Sequence, residues 1–230
     1  MTAKYDSPPE ELEAPLSLDP STWSPKDIYH LHSALIVPRP IAWVSTQSRS
    51  HVDNLAPHSY FNAIADDPPM VSFSIEGKSD TYHNLHDVPE FTVNLVTSTL
   101  AEKMEITAVS MPPDEDEFGW ARLTKTGSDR ITPYRVAESP AALECVVDQI
   151  LSVGKRNHLV IATVVRYHIS PEIWKGARVD PDQLRAIGRL AGGYVELGPR
   201  FKMHRPDFRE LSAPGVEDPR ALSARAYVKP

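Results

Sequence analysis

The chain has 230 residues, 41% hydrophobic and 24% charged, which is enough for one compact core with additions and argues against wholesale disorder. Its 24 basic and 31 acidic residues leave a formal charge of −7, which speaks against a nucleic-acid partner. No run approaches the roughly 20 apolar residues of a membrane-spanning helix, the acidic first residues lack an apolar leader core, and a single cysteine, Cys145, excludes an intramolecular disulfide, so the expected setting is the cytoplasm.

In chain order, residues 1–24 carry Pro8, Pro9, Pro15 and Pro20 among acids and small polar residues and read as an arm that orders only by docking. Ser24-Pro25 supplies an N-cap with proline at the first helical position, predicting a helix over about 25–34 with Ile28, Leu31 and Leu35 on one side. From residue 40 the period changes to two. Residues 41–46 read as a strand, followed by a turn at Asp53-Asn54. Over 70–76, Val71, Phe73 and Ile75 alternate with polar residues, and over 91–95 Phe91, Val93 and Leu95 do the same. Asp80 or Thr81 is positioned to cap a helix over about 81–88, and Ser98 another over about 99–109. Residues 114–117 read as a solvated acidic loop. A long strand over about 142–153 carries Leu143, Cys145, Val147 and Leu151 on one face, with Cys145 as a buried filler. Gly154-Lys155-Arg156-Asn157 has hairpin-turn composition, and residues 159–167 are apolar on nearly both faces. A late helix is expected at about 181–188, then a polar tail over 199–230. About six strands interrupted by short helices predict a mainly β, antiparallel barrel with α additions, in a domain spanning 25–198.

Three segments set small polar groups beside strands. In 38–46, two prolines fix the backbone around Arg39, whose planar fork suits a phosphate, and Ser45 and Thr46 end the strand with adjacent hydroxyls; taken alone, the segment reads rather as a surface arginine and an ordinary strand end. In 54–62, the amides around Asn54, Ala56, His58 and Ser59 suit the polar edge of a flat heterocycle, or form a bulged edge strand. In 77–84, Lys78, Ser79, Asp80 and Thr81 lie between a strand and a helix, where free amides and the helix dipole favour an anion; an ordinary capped helix start is the alternative. His83 and His86 lack the spacing and glutamate of a zinc-protease helix, so no metal is expected. No nucleophile and general base are paired by any motif, which leaves catalytic side chains unassigned and suits a cofactor carrying its own redox chemistry.

At these segments the sequence resembles the flavin reductase-like, FMN-binding split-barrel family, including flavoredoxin-type proteins. The matching stretches are 37–46, 53–61, 67–71, 80–85 and 91–95, in order and spacing, within roughly residues 28–195. The resemblance implies a homodimer with FMN near the subunit interface. It implies Ser45, Thr46, Lys78 and Thr81 around the phosphate, with Arg39 nearby, and Asn54, Ala56, His58 and Ser59 along the isoalloxazine and ribityl chain. Many relatives carry a lysine directly before the Asp-Thr pair; here Ser79 stands there, one place after Lys78. The implied activity is NAD(P)H-dependent flavin reduction; a nicotinamide pocket near Gly192-Gly193-Tyr194 is the feature that would separate a reductase from an electron carrier. Two alternatives are an FMN electron carrier reduced by a partner protein and a non-redox module that uses the slot for another ligand.

Overall fold

The computed structural model describes residues 15–213 and the strand at 225–227, so most of the expected arm and half of the tail lie outside the described residues. Helix α1 (Pro25–Leu35) starts as expected: Ser24 accepts the Asp27 amide at 3.2 Å, and Pro25 occupies the first position, where a missing N–H costs nothing. There follow β1 (Ala42–Gln47), β2 (Asp53–His58), β3 (Phe61–Asp66), β4 (Pro69–Glu76), α2 (Asp80–Asp87), β5 (Glu90–Asn94), α3 (Ala101–Ile106) and α4 (Glu117–Trp120). Short strands β6 (Lys125–Thr126) and β7 (Arg135–Val136) pair before the long hairpin of β8 (Ala141–Val153) and β9 (Asn157–Ile169). Beyond it lie β10 (Trp174–Lys175), β11 (Arg178–Val179), α5 (Pro181–Leu184), β12 (Ile187–Leu190), β13 (Gly193–Glu196), β14 (Phe201–Met203), α6 (Phe208–Leu211) and β15 (Arg225–Tyr227).

Seven strands form one sheet in the order β2-β1-β5-β8-β9-β4-β3, with every pairing antiparallel. The two edge strands, β2 and β3, are consecutive in the chain and joined by Ser59 and Tyr60 alone, so the sheet curls into a barrel that stays split along that seam. Period two decides what each side of β1 buries. Ala42 and Val44 join Phe73, Phe91, Cys145 and Val160 inside the barrel, while Ile41 and Trp43 join Leu55, Met104 and Phe118 in a second core under α3 and α4. The Trp43 indole N–H donates to Thr107 Oγ1 at 2.9 Å, so the large ring is buried without an orphaned donor.

Several boundaries differ from the sequence reading, each for a local reason. Asp53 and Asn54 open β2 instead of forming a turn; the turn is at 48–52, closed by the Ser48 amide on Val52 O, with His51 at φ 62°. Ser79, not Asp80 or Thr81, is the N-cap of α2, and Leu100, not Ser98, that of α3. The late helix is one turn, Pro181–Leu184, because Arg185 turns left-handed at φ 47°. Register shifts in β8 between Glu144/Cys145 and Val147/Gln149 re-phase the strand, so Ile150 packs on the core and Leu151 is exposed. The acidic run at 114–117 is a solvated loop only in part: Asp114 is exposed, but Asp116 caps α4 and binds Lys125 at 2.5 Å, and Glu117 is buried. The tail is partly ordered, since β14 pairs with β15.

Candidate functional site

Because β2 pairs with β1 without a register shift, Asn54, Ala56 and His58 share one of its faces. The bulged-edge alternative for this segment is therefore half right: β2 is an edge strand but carries no bulge. The shared face meets the start of α2. Asn54 Nδ2 donates to Thr46 Oγ1 and Thr81 Oγ1, both at 3.2 Å, and Asn84 Nδ2 donates to Thr46 Oγ1 at 3.0 Å. This buried side-chain net ties β1, β2 and α2 together and shapes one end of a cleft of about 460 Å³, within the range of roughly 300–1,000 Å³ usual for small-molecule sites.

Six of the ten candidate residues line this cleft: Asn54, Ala56, His58, Lys78, Asp80 and Thr81. Ser79 makes no capping hydrogen bond with its side chain, so the first-turn amides of α2 lack that partner, and the positive end of the helix faces the same place. Lys78 Nζ lies 5.8 Å from the Tyr82 ring centroid. Thr46 sits beneath the cleft, fully buried, as the shared acceptor of the asparagine net. Ser59 lies at its edge, lining two neighbouring clefts.

Two candidates are placed otherwise. Ser45 is fully buried on the opposite face of β1 from Thr46, because adjacent strand residues alternate; its Oγ has no hydrogen-bond partner. The two hydroxyls therefore do not converge on one anion. Arg39 is buried away from the cleft. Its guanidinium donates to Ser33 O at 2.6 Å, Ile36 O at 3.2 Å and Ala191 O at 3.4 Å, and its backbone exchanges hydrogen bonds with Arg189. Three carbonyls at the end of α1 and the β12–β13 hairpin use the fork that a phosphate would need.

Two titratable groups in the cleft are perturbed by burial. The His58 imidazole is pushed down to about 4 by loss of solvent, against a smaller opposing effect of a hydrogen bond with the Ser74 backbone, so the ring is neutral at physiological pH. Its Nε2 is buried without a partner, and its ring packs on Phe73 with centroids 5.0 Å apart. Glu117 is raised, first by burial and also by Asp80 and Asp116, against the Leu55 amide, which donates to its Oε2 at 2.9 Å, and its own backbone. Sequence reading missed Glu117 and the 107–111 wall of the cleft. The one available signal was Phe118 and Trp120 after the acidic run, which mark a short amphipathic turn.

Two further clefts adjoin the first around Pro57. One, of about 590 Å³, lies between α1 and the β2–β3 connection. The other, of about 200 Å³, includes Arg189 and Tyr194, from the region expected to meet nicotinamide; the Arg189 guanidinium lies 4.5 Å from the Tyr194 ring centroid, and the Tyr194 hydroxyl donates to Glu105.

Comparison with known proteins agrees with this geometry. The flavin reductase like domain model matches residues 34–178, more than half of the chain. Nitrilotriacetate monooxygenase component B from Bacillus cereus is 34% identical, covering 83% of this chain and 100% of its own, with a TM-score of 0.81. The 2-nitrobenzoate 2-nitroreductase NbaA of Pseudomonas fluorescens is 28% identical over 84% of this chain and 98% of its own, with a TM-score of 0.78. A split-barrel-domain protein from Shewanella frigidimarina shares the fold at 18% identity, covering 82% and 95% of the two chains, with a TM-score of 0.72. The curled seven-stranded sheet is thus a split β-barrel, and the chain belongs to the flavin reductase-like family.

Proposed function

We propose that the cleft at the start of α2 holds FMN and that the protein is an NAD(P)H-dependent flavin oxidoreductase, acting as a cytoplasmic homodimer through the domain over 25–198. The observation that carries the reading is the uncapped start of α2, which sets open amides, Lys78 and the Thr81 hydroxyl at one end of a slot whose other end is the edge strand β2. That donor set suits a phosphate. Peptide groups on the outer side of an edge strand lack ladder partners, and only some are used, as the Leu55 amide is by Glu117. The remainder suit the polar edge of an isoalloxazine ring.

Held there by Lys78, Thr81 and the β2 edge, a flavin would supply two-electron redox chemistry between reduced nicotinamide and an acceptor. The protein's own residues bind, orient and exclude water. The neutral His58 borders the slot without adding charge, and the asparagine net fixes Thr81. Apolar side chains exposed on the β8–β9 hairpin, among them Val146, Leu151, Val165 and Tyr167, give a second copy a surface to cover.

An absorbance spectrum of the purified protein, taken before and after anaerobic addition of NADH or NADPH, tests the reading. Flavin bands that bleach on addition are expected. Bands that bleach only with dithionite would favour an electron carrier reduced by a protein partner, and a protein that stays colourless after reconstitution would favour a non-redox module. Lys78→Ala and Thr81→Val should each weaken flavin retention by about tenfold, some 1.4 kcal/mol. Full retention by both would remove the phosphate from the start of α2.

A further inference from the structure

The cleft at the start of α2 is poor in positive charge for a phosphate monoester, which carries between one and two negative charges at neutral pH. Lys78 is the one cation in its lining, against the carboxyls of Glu76, Asp80 and Glu117. A phosphate entering such a site is repelled unless one of these carboxyls gives up its charge. Three observations single out Glu117. It is the buried one, while Asp80 is half-buried and Glu76 exposed. It also has no cation of its own. Among the described residues Glu117 makes no ion pair, whereas Glu76 meets Arg156 at 3.0 Å, and on the α4 side Lys125 is held by Asp53 at 2.6 Å and by Asp116 at 2.5 Å. Finally, one oxygen is fixed and the other spare. The Leu55 amide donates to Oε2 at 2.9 Å, and among the described residues no other residue bonds to Oε1, so the carboxyl is anchored on β2 with one oxygen left for the cleft it lines. Burial first, and then the charges of Asp80 and Asp116, already raise this carboxyl, against the Leu55 amide and its own backbone.

We propose that Glu117 meets the flavin phosphate as the neutral acid, donating its Oε1–H to a phosphate oxygen, so that FMN enters the cleft together with a proton from solvent. The inference rests on the flavin reading above. An ionised carboxylate can only accept hydrogen bonds and would repel the phosphate; the protonated acid is a donor and adds no charge. With the phosphate in place a further negative charge faces the carboxyl, so the loaded protein holds this proton more tightly than the empty one. By linkage, FMN then binds more tightly as pH falls through the raised range of the carboxyl and loosens as pH rises through it. Riboflavin, which ends in a hydroxyl, brings no charge to that end of the cleft and gives the carboxyl no reason to take up a proton.

Calorimetric titration of the flavin-free full chain with FMN and with riboflavin tests this and needs no turnover. Repeating each titration at several pH values in buffers of different ionisation enthalpy counts the protons taken up. If loading strengthens FMN binding about tenfold across the titration of Glu117, uptake should peak at about half a proton per FMN bound. Riboflavin should bind with none beyond the small uptake of the protein without Glu117. In Glu117→Gln the side-chain oxygen still accepts the Leu55 amide and the NH₂ group donates to the phosphate. That variant should therefore bind FMN as tightly as the unaltered protein does at low pH, lose the pH trend, and lose most of the uptake. Absence of FMN-linked uptake at every pH would overturn the assignment. Equal uptake with riboflavin would overturn it too, by separating the proton from the phosphate, and this comparison needs no variant to fold. Undiminished uptake in Glu117→Gln would give the proton to another group. FMN and riboflavin binding with equal affinity and no uptake would take the phosphate away from α2 while leaving a flavin site, whereas binding of neither would sink the flavin reading itself.

Discussion

The base of the long hairpin and the cleft beside α2 each contain a buried glutamate and a histidine, and they treat them in opposite ways. Glu144, fully buried on β8, accepts the Asp129 amide at 2.7 Å, the Arg130 amide at 2.8 Å and His168 Nε2 at 2.5 Å. Burial alone would raise its carboxyl, but these donors outweigh it and hold the group below its ordinary value. Glu117 is 5% exposed and receives one amide from a neighbouring strand, with Asp80 and Asp116 close by, so its carboxyl is raised. His168 is paired with Glu144, while His58 Nε2 is buried with no partner. The first arrangement is complete and closes a loop onto β8 and β9. Asp129, Glu144 and His168 form a cluster within metal-binding distance that was not anticipated, yet every Glu144 oxygen already has a donor and Asp129 faces Arg166 at 3.4 Å. The second arrangement leaves polar capacity unspent, which is costly in a finished core and expected of a binding site.

The largest expected effect breaks the finished side. Glu144→Ala strands two amides and a histidine and should cost on the order of 3–5 kcal/mol, read as a shift in the urea midpoint at constant slope. A change under 1 kcal/mol would mean that water replaces the carboxylate there and that the contrast with Glu117 is illusory. Because the folded state holds the Glu144 proton more weakly than the unfolded chain does, its stabilising contribution is present above the ordinary carboxyl range and disappears as pH falls through that range.

Next comes His58. Its depressed folded value means that the unfolded chain takes up a proton first, so stability declines as pH falls from about 6.5 towards about 4. At roughly 1.36 kcal/mol per pH unit the decline approaches 3 kcal/mol. Thermal melts of His58→Phe should be flatter over that window, and an unchanged slope would show that the ring is accessible to protons in the fold.

The smallest effect sharpens the open side. Ionisation of Glu117 adds negative charge to the cleft, so flavin affinity should weaken as pH rises through its raised value. Glu117→Gln keeps the Leu55 hydrogen bond and should abolish that trend, a change of no more than about tenfold, 1.4 kcal/mol. Fluorescence titration of flavin at several pH values checks it. In the absence of flavin, stability should fall with rising pH through the same range in the wild type and not in the variant, since a raised folded value makes the native state the better proton binder.

Much of the molecule was legible from sequence because its determinants are local. The cap at Ser24-Pro25, the alternation of Val71, Phe73 and Ile75, and the turn at 154–156, with Asn157 opening β9, depend on neighbours a few residues away, and each appears within a residue of where expected. Asn54, Ala56, His58, Lys78, Asp80 and Thr81 lie in one cleft, as their grouping in two motifs suggested. What tertiary structure alone decided involves groups far apart in the chain. The Leu55 amide finds Glu117 at a separation of 62 residues, and Arg39 finds the Ala191 carbonyl at 152. Neither partnership has a periodic signature, so an acidic run read as solvated loop and a proline-flanked arginine read as a phosphate ligand. The register shifts in β8 likewise came from its pairing with β9, and they reversed which of Ile150 and Leu151 faces the core. Local steric and hydrophobic patterns write the strands and helices, but the identity of a buried polar partner is set by which strands lie side by side, and that becomes definite only when the barrel closes.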